Sequence, residues 1–229
     1  MKKTKIFALS LLLLTMTACT SGSEQKTPAE TTVPAVEAEN STAAPTDSKE
    51  NSITLNTPLV LASKDIGLFD YIDVVMKSGT YEYDHMHCQD RYQGEFYLQH
   101  YKDEKLMNET KLEPFLDDEI MFNDTFTLYT KDYNGDGNVD FLIGENINDK
   151  GTYYRMFTLT EKNTFEQLDV GTEGNYLYIY DGELSCKLEK KGKNTWKYKQ
   201  YDMEKGVSEI TIQWNGSAFE EIERKVVTE

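Results

Sequence analysis

Short segments that alternate apolar and polar residues recur along the chain, and turn-forming dipeptides separate them. The clearest segments are residues 96–101, 176–180 and 210–214. Alternation with a period of two predicts β-strands with one buried face. Asp181-Gly182 and Asn215-Gly216 supply residues that accept positive φ, as tight type I′ hairpin turns require. Longer turns are predicted near Gly151, Gly192 and Gly206.

This pattern predicts a mostly β fold, built as an antiparallel meander that is sandwich-like or partly propeller-like. About eight strands are expected from Val139 to the C-terminus. At most one or two short helices are expected, and the best candidate is Ile66–Met76. Its apolar face would consist of Phe69, Ile72 and Met76. The stretch 105–122 is compatible with helix or strand, but Pro114 breaks any single helix there.

The N-terminus has the order of an export signal. Three lysines precede a short apolar segment at residues 6–14, and small residues lead to Cys19. Residues 1–18 resemble the lipobox signal peptide of bacterial lipoproteins, although Met16 stands where that family usually has leucine. The resemblance implies cleavage before Cys19, lipidation of its thiol, and an extracytoplasmic protein anchored to the cell membrane. The alternative is an ordinary secretory signal with a chance cysteine.

A tether follows the signal, at residues 19–52. Of the 31 residues from 20 to 50, 18 are Thr, Ser, Ala or Pro. Such a composition buries too little apolar surface to offset the entropy of ordering, so this segment is predicted to be disordered. As a flexible chain it would span about 30 Å root mean square. The folded domain is therefore expected to comprise residues 53–229.

The charge of the chain limits its partners. The sequence has 40 acidic and 24 basic residues, a formal net charge of −16 at pH 7. Nucleic acids and anionic membrane surfaces require a basic face, so neither is expected as the main partner. The expected contact with a lipid bilayer is made through Cys19 alone.

Residues 132–140 place oxygen atoms at alternate positions of a glycine-containing loop. The side-chain oxygens belong to Asp132, Asn134, Asp136 and Asp140, at loop positions one, three, five and nine. Gly137, at position six, permits a sharp turn, and Asn138 offers its backbone carbonyl at position seven. Calcium takes roughly six to eight oxygen ligands, whereas magnesium demands a stricter octahedron, so the spacing favours Ca²⁺. The alternative is an acidic surface turn that binds no metal.

This loop is not a complete EF-hand, because Ile143 stands at position twelve where that motif has a bidentate glutamate. Strands are expected on both sides, at residues 126–130 and 139–143. The pattern, continued by Phe141-Leu142-Ile143-Gly144, resembles a single FG-GAP or VCBS-type repeat. That resemblance implies calcium held by Asp132, Asn134, Asp136, Asp140 and the carbonyl of Asn138. This chain differs from that family in the number of repeats, because it shows one and a propeller requires several.

His85 and His87 form a second candidate metal site, because on a strand they would share one face and bind zinc or copper. His100 or Asp90 would complete that ligand set. The alternative is a polar edge strand. Cys88 either pairs with Cys186 or stays reduced, since spacing alone does not show proximity.

Catalytic motifs are sparse in this sequence. Asp117-Asp118-Glu119 offers adjacent carboxylates for polysaccharide hydrolysis, but adjacent acids are more often a solvated surface. The 15 tyrosines either line a sugar-binding face or pack within the sheets. We therefore expect a calcium-stabilised binding or structural module whose partner is a glycan or a surface protein. A hydrolase and a zinc- or copper-handling lipoprotein are the alternatives.

Overall fold

The computed structural model describes residues 52–86, 88–115, 119–148, 150–180 and 183–227, and side chains for all of these except 146–148. The predicted signal peptide, Cys19 and the tether up to residue 51 lie outside the described residues. Ser52 already belongs to the first described strand.

The described chain is mostly β-strand, as the sequence predicted. The strands are β1 (Ser52–Leu55), β2 (Leu59–Gly67), β3 (Asp70–Asp84), β4 (Gln89–Lys102), β5 (Lys105–Lys111), β6 (Ile120–Asn123), β7 (Thr130–Lys131), β8 (Val139–Asn148), β9 (Gly151–Leu159), β10 (Phe165–Gln167), β11 (Leu177–Ile179), β12 (Glu189–Gly192), β13 (Thr195–Asp202), β14 (Gly206–Trp214) and β15 (Phe219–Val226). One 3₁₀ turn, Glu173–Asn175, is the single helical segment among the described residues.

These strands form three antiparallel sheets. The first sheet has the order β1-β3-β4-β5, with β2 also paired to β3 and β6 to β4. The second sheet has the order β10-β9-β8-β7, and β11 pairs with β9. The third sheet is a simple meander, β12-β13-β14-β15. The predicted antiparallel meander is therefore confirmed, and eight of the described strands begin at or after Val139.

Two apolar cores hold the sheets together, and the second sheet contributes to both. Phe141 and Ile143 of β8 belong to the first core with residues of the first sheet, whereas Leu142 belongs to the second core with residues of the third sheet. A strand buried on both faces reads as a continuous apolar run, which explains the sequence Phe141-Leu142-Ile143. The second core also contains Trp196 from β13.

The predicted helix at Ile66–Met76 is wrong. This segment forms the end of β2, a turn, and the start of β3. Ile72, Val74 and Met76 belong to the first core at alternate positions of β3, and β-branched residues favour this extended state. The stretch 105–122, which the sequence left open, contains β5 and the beginning of β6.

The predicted turns are largely confirmed. Hairpin turns occur next to Gly151, Gly192 and Gly206, where β8, β12 and β13 lead into their successors. The turn at Asn215-Gly216 differs from a two-residue type I′ turn, because Trp214 pairs with Phe219 and leaves a four-residue loop. The side chain of Asn215 closes this loop by accepting N–H bonds from the two residues that follow Gly216. Asp181-Gly182 lies outside the described residues.

Candidate metal centre

The predicted calcium loop connects β7 to β8. The chain leaves β7 at Lys131 and re-enters regular structure at Val139, so Asp140 lies within β8. The strand expected at residues 126–130 is mostly wrong, since only Thr130 of that range is in β7. The structure therefore places the loop between a two-residue edge strand and a buried strand of the second sheet.

Asp132 organises the first half of the loop. Its Oδ1 accepts a hydrogen bond from the N–H of Gly135 at 2.6 Å, and its Oδ2 accepts one from the N–H of Gly137 at 3.1 Å. Gly135 and Gly137 both have positive φ, at 82° and 91°. This backbone conformation is the sharp turn that the glycine at position six was predicted to permit.

Asp136 organises the second half in the same manner. Its Oδ1 accepts the N–H of Asn138 at 2.8 Å, and its own N–H donates to Oδ1 of Asn134 at 3.0 Å. The side-chain amides of Asn134 and Asn138 both donate to Oδ2 of Asp136 at 3.0 Å. Three of the five predicted ligand residues, Asn134, Asp136 and Asn138, are thus joined directly by hydrogen bonds, and Asp132 bonds the two glycines between them.

Asp140 is the fifth predicted ligand, and it differs from the others because it is fully buried. Its Oδ2 accepts N–H bonds from Tyr133 at 2.7 Å and from Asn134 at 3.3 Å. Its Oδ1 makes no hydrogen bond of normal geometry among the described residues, although the Thr158 hydroxyl lies close enough to stabilise the charge. The loop therefore contains a carboxylate oxygen that is removed from water and keeps an unused acceptor position.

The protonation of Asp140 reflects this environment. Burial raises the pKa of Asp140 to about 6, because desolvation penalises the ionised form. The Thr158 hydroxyl, across on β9, and the amides of Tyr133 and Asn134 partly offset the rise, whereas the nearby charge of Asp136 adds to it. A divalent cation beside this group would stabilise its ionised form.

The loop is attached to the third sheet through Tyr133. The Nε1–H of Trp196 donates to the backbone oxygen of Tyr133 at 2.7 Å, and the two rings meet edge to face with centroids 4.8 Å apart. Both side chains are buried in the second core. Burial is also the main cause of the raised pKa of the Tyr133 hydroxyl. Sequence reasoning missed these positioning residues, because they lie 63 residues apart and form no local motif.

The oxygen donors of the loop are of the kind that a hard cation binds, although its carboxylates do not converge on a single point. Within the described ranges, no group of three His, Cys, Asp or Glu side chains has an arrangement that would hold a metal ion. Carboxylate oxygens accept more than one interaction each, so the N–H bonds to Asp132 and Asp136 leave acceptor positions for a cation. The unpartnered Oδ1 of Asp140 and the exclusively oxygen donor set match the preference of calcium.

The second candidate metal site is not assembled as predicted. His85 lies in the turn after β3 and not on a strand, and His87 is outside the described residues. His100 cannot join them, because it pairs with Ile72 and is eleven residues along β4 from Gln89 at the hairpin turn, on the order of 35 Å. His100 instead bonds Asp70 through Nε2 at 2.8 Å. A zinc or copper role of His85 and His87 stays a prediction.

The remaining sequence candidates are dispersed. Cys88 is exposed and Cys186 is buried, and these two described residues are not bonded to each other. Asp117 and Asp118 lie outside the described residues, and Glu119 accepts a hydrogen bond from Gln93 at 2.7 Å. A paired-carboxylate site at positions 117–119 therefore stays a prediction.

Comparison with known proteins gives no family assignment. No protein-family model matches the chain, and no curated protein sequence matches it significantly. Among the described residues, no helix has the length and apolar character that crossing a membrane requires. The lipobox and FG-GAP or VCBS resemblances thus stay predictions that rest on their own residues.

Proposed function

We propose that this protein is an extracytoplasmic lipoprotein whose β domain binds one calcium ion and acts as a binding or structural module. The signal peptide resemblance and Cys19 support the anchored location. The loop at residues 132–140 supports the calcium site. The acidic composition, with 40 acidic against 24 basic residues, is consistent with a module that does not bind nucleic acid.

The observation that carries the calcium proposal is the state of Asp140. A fully buried carboxylate with one unpartnered oxygen is costly for a folded domain, because the N–H bonds to its other oxygen offset only part of the desolvation of the charge. A bound cation would offset that cost. An acidic surface turn alone would not require the last aspartate to be buried within a strand.

Calcium would be held by Asp132, Asn134, Asp136, the carbonyl of Asn138 and Asp140. The ion would supply positive charge that neutralises three carboxylates crowded into nine residues. Because Tyr133 links this loop to Trp196, the ordered loop would also brace the second sheet against the third. The ion's role would therefore be structural, and the partner-binding surface would lie elsewhere.

Isothermal titration calorimetry of the chelator-stripped full chain with CaCl₂ tests the site. We expect binding of one ion, and loss of that binding in Asp132→Asn, which removes a charge from an exposed ligand without disturbing the core. Asp169→Asn, at an aspartate remote from the loop in sequence, is the control and should bind calcium like the wild type. Absence of binding heat in the wild type, or equal binding in the Asp132→Asn variant, would contradict the proposal.

Metabolic labelling with an alkyne fatty acid tests the anchor separately. We expect label on the full chain when it is expressed in a bacterial host, and none on Cys19→Ala. Cys88→Ala, which removes an exposed thiol from the folded domain, should be labelled normally. Label that survives Cys19→Ala would overturn the lipoprotein assignment without affecting the calcium measurement.

A further inference from the structure

The solvent-facing side of the first sheet contains a row of polar side chains that the calcium proposal does not use. Asp73 of β3 pairs with Gln99 of β4, and Gln99 pairs with Glu109 of β5, so the three residues lie side by side across three strands. Ile72 and Val74, the neighbours of Asp73 along β3, belong to the first core on the opposite face. We call this surface the Asp73 face, and its members are Tyr71, Asp73, Lys77, Gln99, Tyr101 and Glu109.

Hydrogen bonds hold most of this row in fixed positions. Gln99 donates through Nε2 to Glu109 Oε2 at 2.6 Å, and its Oε1 accepts the hydroxyl of Tyr101 at 3.0 Å. Lys77 donates to Glu109 Oε1 at 2.5 Å. Gln99 is itself buried, and the side chains of Lys77 and Glu109 are only partly exposed. The surface is therefore pre-organised and not a set of mobile charged side chains.

Asp73 is the member of this face with an unused acceptor. It is 8% exposed, and its Oδ1 has no hydrogen-bonding partner among the described residues. Leaving a buried acceptor unsatisfied is costly, and such groups are rare in folded proteins. Asp73 lies on the same side of β3 as the half-buried Tyr71, and neighbouring side chains cover its Oδ1, so a donor that arrives from this side would reach the oxygen by displacing them.

Two tyrosine rings lie together on one side of the Asp73–Gln99 pair. Tyr71 and Tyr101 pair across β3 and β4, and their half-buried rings stack with centroids 5.0 Å apart and planes inclined by 11°. Tyr97, which pairs with Val75 next to the Asp73 face, is covered by the ammonium of Lys77 at 4.5 Å from the ring centroid. The Tyr71 and Tyr101 pair is therefore the aromatic platform of the face.

We propose that the Asp73 face binds a neutral saccharide chain. The apolar face of a sugar ring packs on aromatic side chains, and its hydroxyls donate to fixed carboxylate and amide oxygens. The face combines both features within one row of three strands. Asp73 would accept a hydroxyl through Oδ1, and the stacked tyrosines would contact the ring.

Charge and coordination argue against other ligands. Asp73 and Asp65 would repel a polyanionic glycan or a phosphate group, whereas Glu109 is already paired with Lys77. A metal ion is disfavoured, because the face contains the ammonium of Lys77 and no metal-holding group of three side chains exists among the described residues.

Affinity electrophoresis of the full chain in mild detergent tests this inference. The gels contain xylan, galactomannan, hydroxyethyl cellulose or, as an anionic control, polygalacturonate. We expect retardation by at least one neutral polysaccharide and none by polygalacturonate. Asp73→Val, which removes the acceptor oxygens, and Tyr101→Ala should each weaken that binding at least tenfold, whereas Tyr101→Phe should retain most of it because the ring is kept.

The control variant is Tyr180→Ala, which removes a tyrosine that is 47% exposed and lies outside the Asp73 face. It should bind like the wild type. Asp73→Val removes a buried charge and keeps a strand-forming side chain of similar size, so it is expected to fold, and its melting temperature verifies this. Absence of retardation by every neutral polysaccharide, or equal losses in Tyr180→Ala and Tyr101→Ala, would overturn the inference.

This inference goes beyond the proposed calcium and anchoring roles and fails independently of them. Measuring the gel retardation in EDTA and again in CaCl₂ separates the saccharide inference from the calcium proposal, because the Asp73 face lies on the first sheet and the calcium loop on the second. Binding in both conditions supports the inference whatever the calorimetry shows. Release of reducing ends from the bound polysaccharide would make the face catalytic and would contradict a binding role.

Discussion

Asp140 and Asp73 show how burial alters the chemistry of an ordinary aspartate. Each is less than one tenth exposed, and each keeps one oxygen without a hydrogen-bonding partner among the described residues. Burial is the first cause of the raised pKa of both groups. A neutral residue of the same shape would cost less at either position, so acidic side chains there point to a ligand rather than to stability.

The pH dependence of stability tests the burial of Asp73. Desolvation raises its pKa, the charge of Asp65 adds to the rise, and the Ser63 hydroxyl partly offsets it. Because the folded-state pKa lies above the unfolded value, the contribution of Asp73 to the free energy of unfolding is fully present below the ordinary aspartate pKa. That contribution is lost as the pH rises through the raised folded-state value.

Asp73→Asn removes this dependence. We expect the free energy of unfolding of the variant, relative to the wild type, to increase between about pH 4 and pH 7. Urea unfolding at a series of pH values measures it, with both proteins in the same chelating buffer. A difference that stays constant over this range would show that Asp73 titrates normally in the folded domain.

At the scale of strands, the close approach of the neighbouring strands β3 and β4 depends on a pair of glycines. Gly79 and Gly94 face each other, with φ of 151° and 155°. A Cβ on Gly94 would lie 2.2 Å from the backbone oxygen of Ser78 and 2.7 Å from Cα of Gly79. Neither neighbour is a flexible side chain, so the two strands would have to separate.

We therefore expect Gly94→Ala to lower the free energy of unfolding by about 2 to 4 kcal/mol. Gly192→Ala is the matched control, because its new Cβ would contact only Thr195 at 3.6 Å, and it should change stability by less than about 0.5 kcal/mol. Urea denaturation of both variants checks this. Equal stability of the two would mean that the strands do not approach so closely.

The contact between β13 and the loop at residues 132–140 gives a second prediction at this scale. Trp196→Phe keeps an aromatic ring against Tyr133 but removes the Nε1–H that donates to the Tyr133 backbone oxygen. An unsatisfied buried carbonyl costs about 1 to 3 kcal/mol. We expect a loss of that size in urea unfolding, and a larger one for Trp196→Ala. An unchanged unfolding midpoint in Trp196→Phe would show that this hydrogen bond is not what holds the loop.

The elements themselves were predictable where the signal was local. Alternation and glycine turns identified β4, β11 and β14 and the hairpins after β8, β12 and β13, because period-two burial and positive φ are properties of a few adjacent residues. The helix at 66–76 was wrong because Ile72 and Met76 satisfy both helical and strand spacing. The extended form is stabilised by pairing with β2 and β4, most of whose residues lie outside 66–76, and the segment alone does not show these partners.

For the whole molecule, the arrangement of sheets could not be derived from the sequence. Which strands join a sheet depends on contacts between distant segments, such as the bond from Trp196 to Tyr133 across 63 residues. The candidate loop was found because its spacing is local, whereas the Asp73 face was missed because three separate strands assemble it. The same architecture places the loop where it contacts both the second and the third sheets.

The effect of calcium on thermal unfolding, in the wild type and in Asp140→Asn, tests the central claim most directly. With calcium at about 100 times its Kd, binding adds about 2.7 kcal/mol, which raises the Tm of a domain of this size by roughly 5 to 10 °C over the value in EDTA. Asp140→Asn should melt in EDTA at or above the wild-type temperature, because a buried charge is removed, and should gain nothing from calcium. A wild type that melts identically in calcium and EDTA, or a variant that keeps the full calcium shift, would contradict the account.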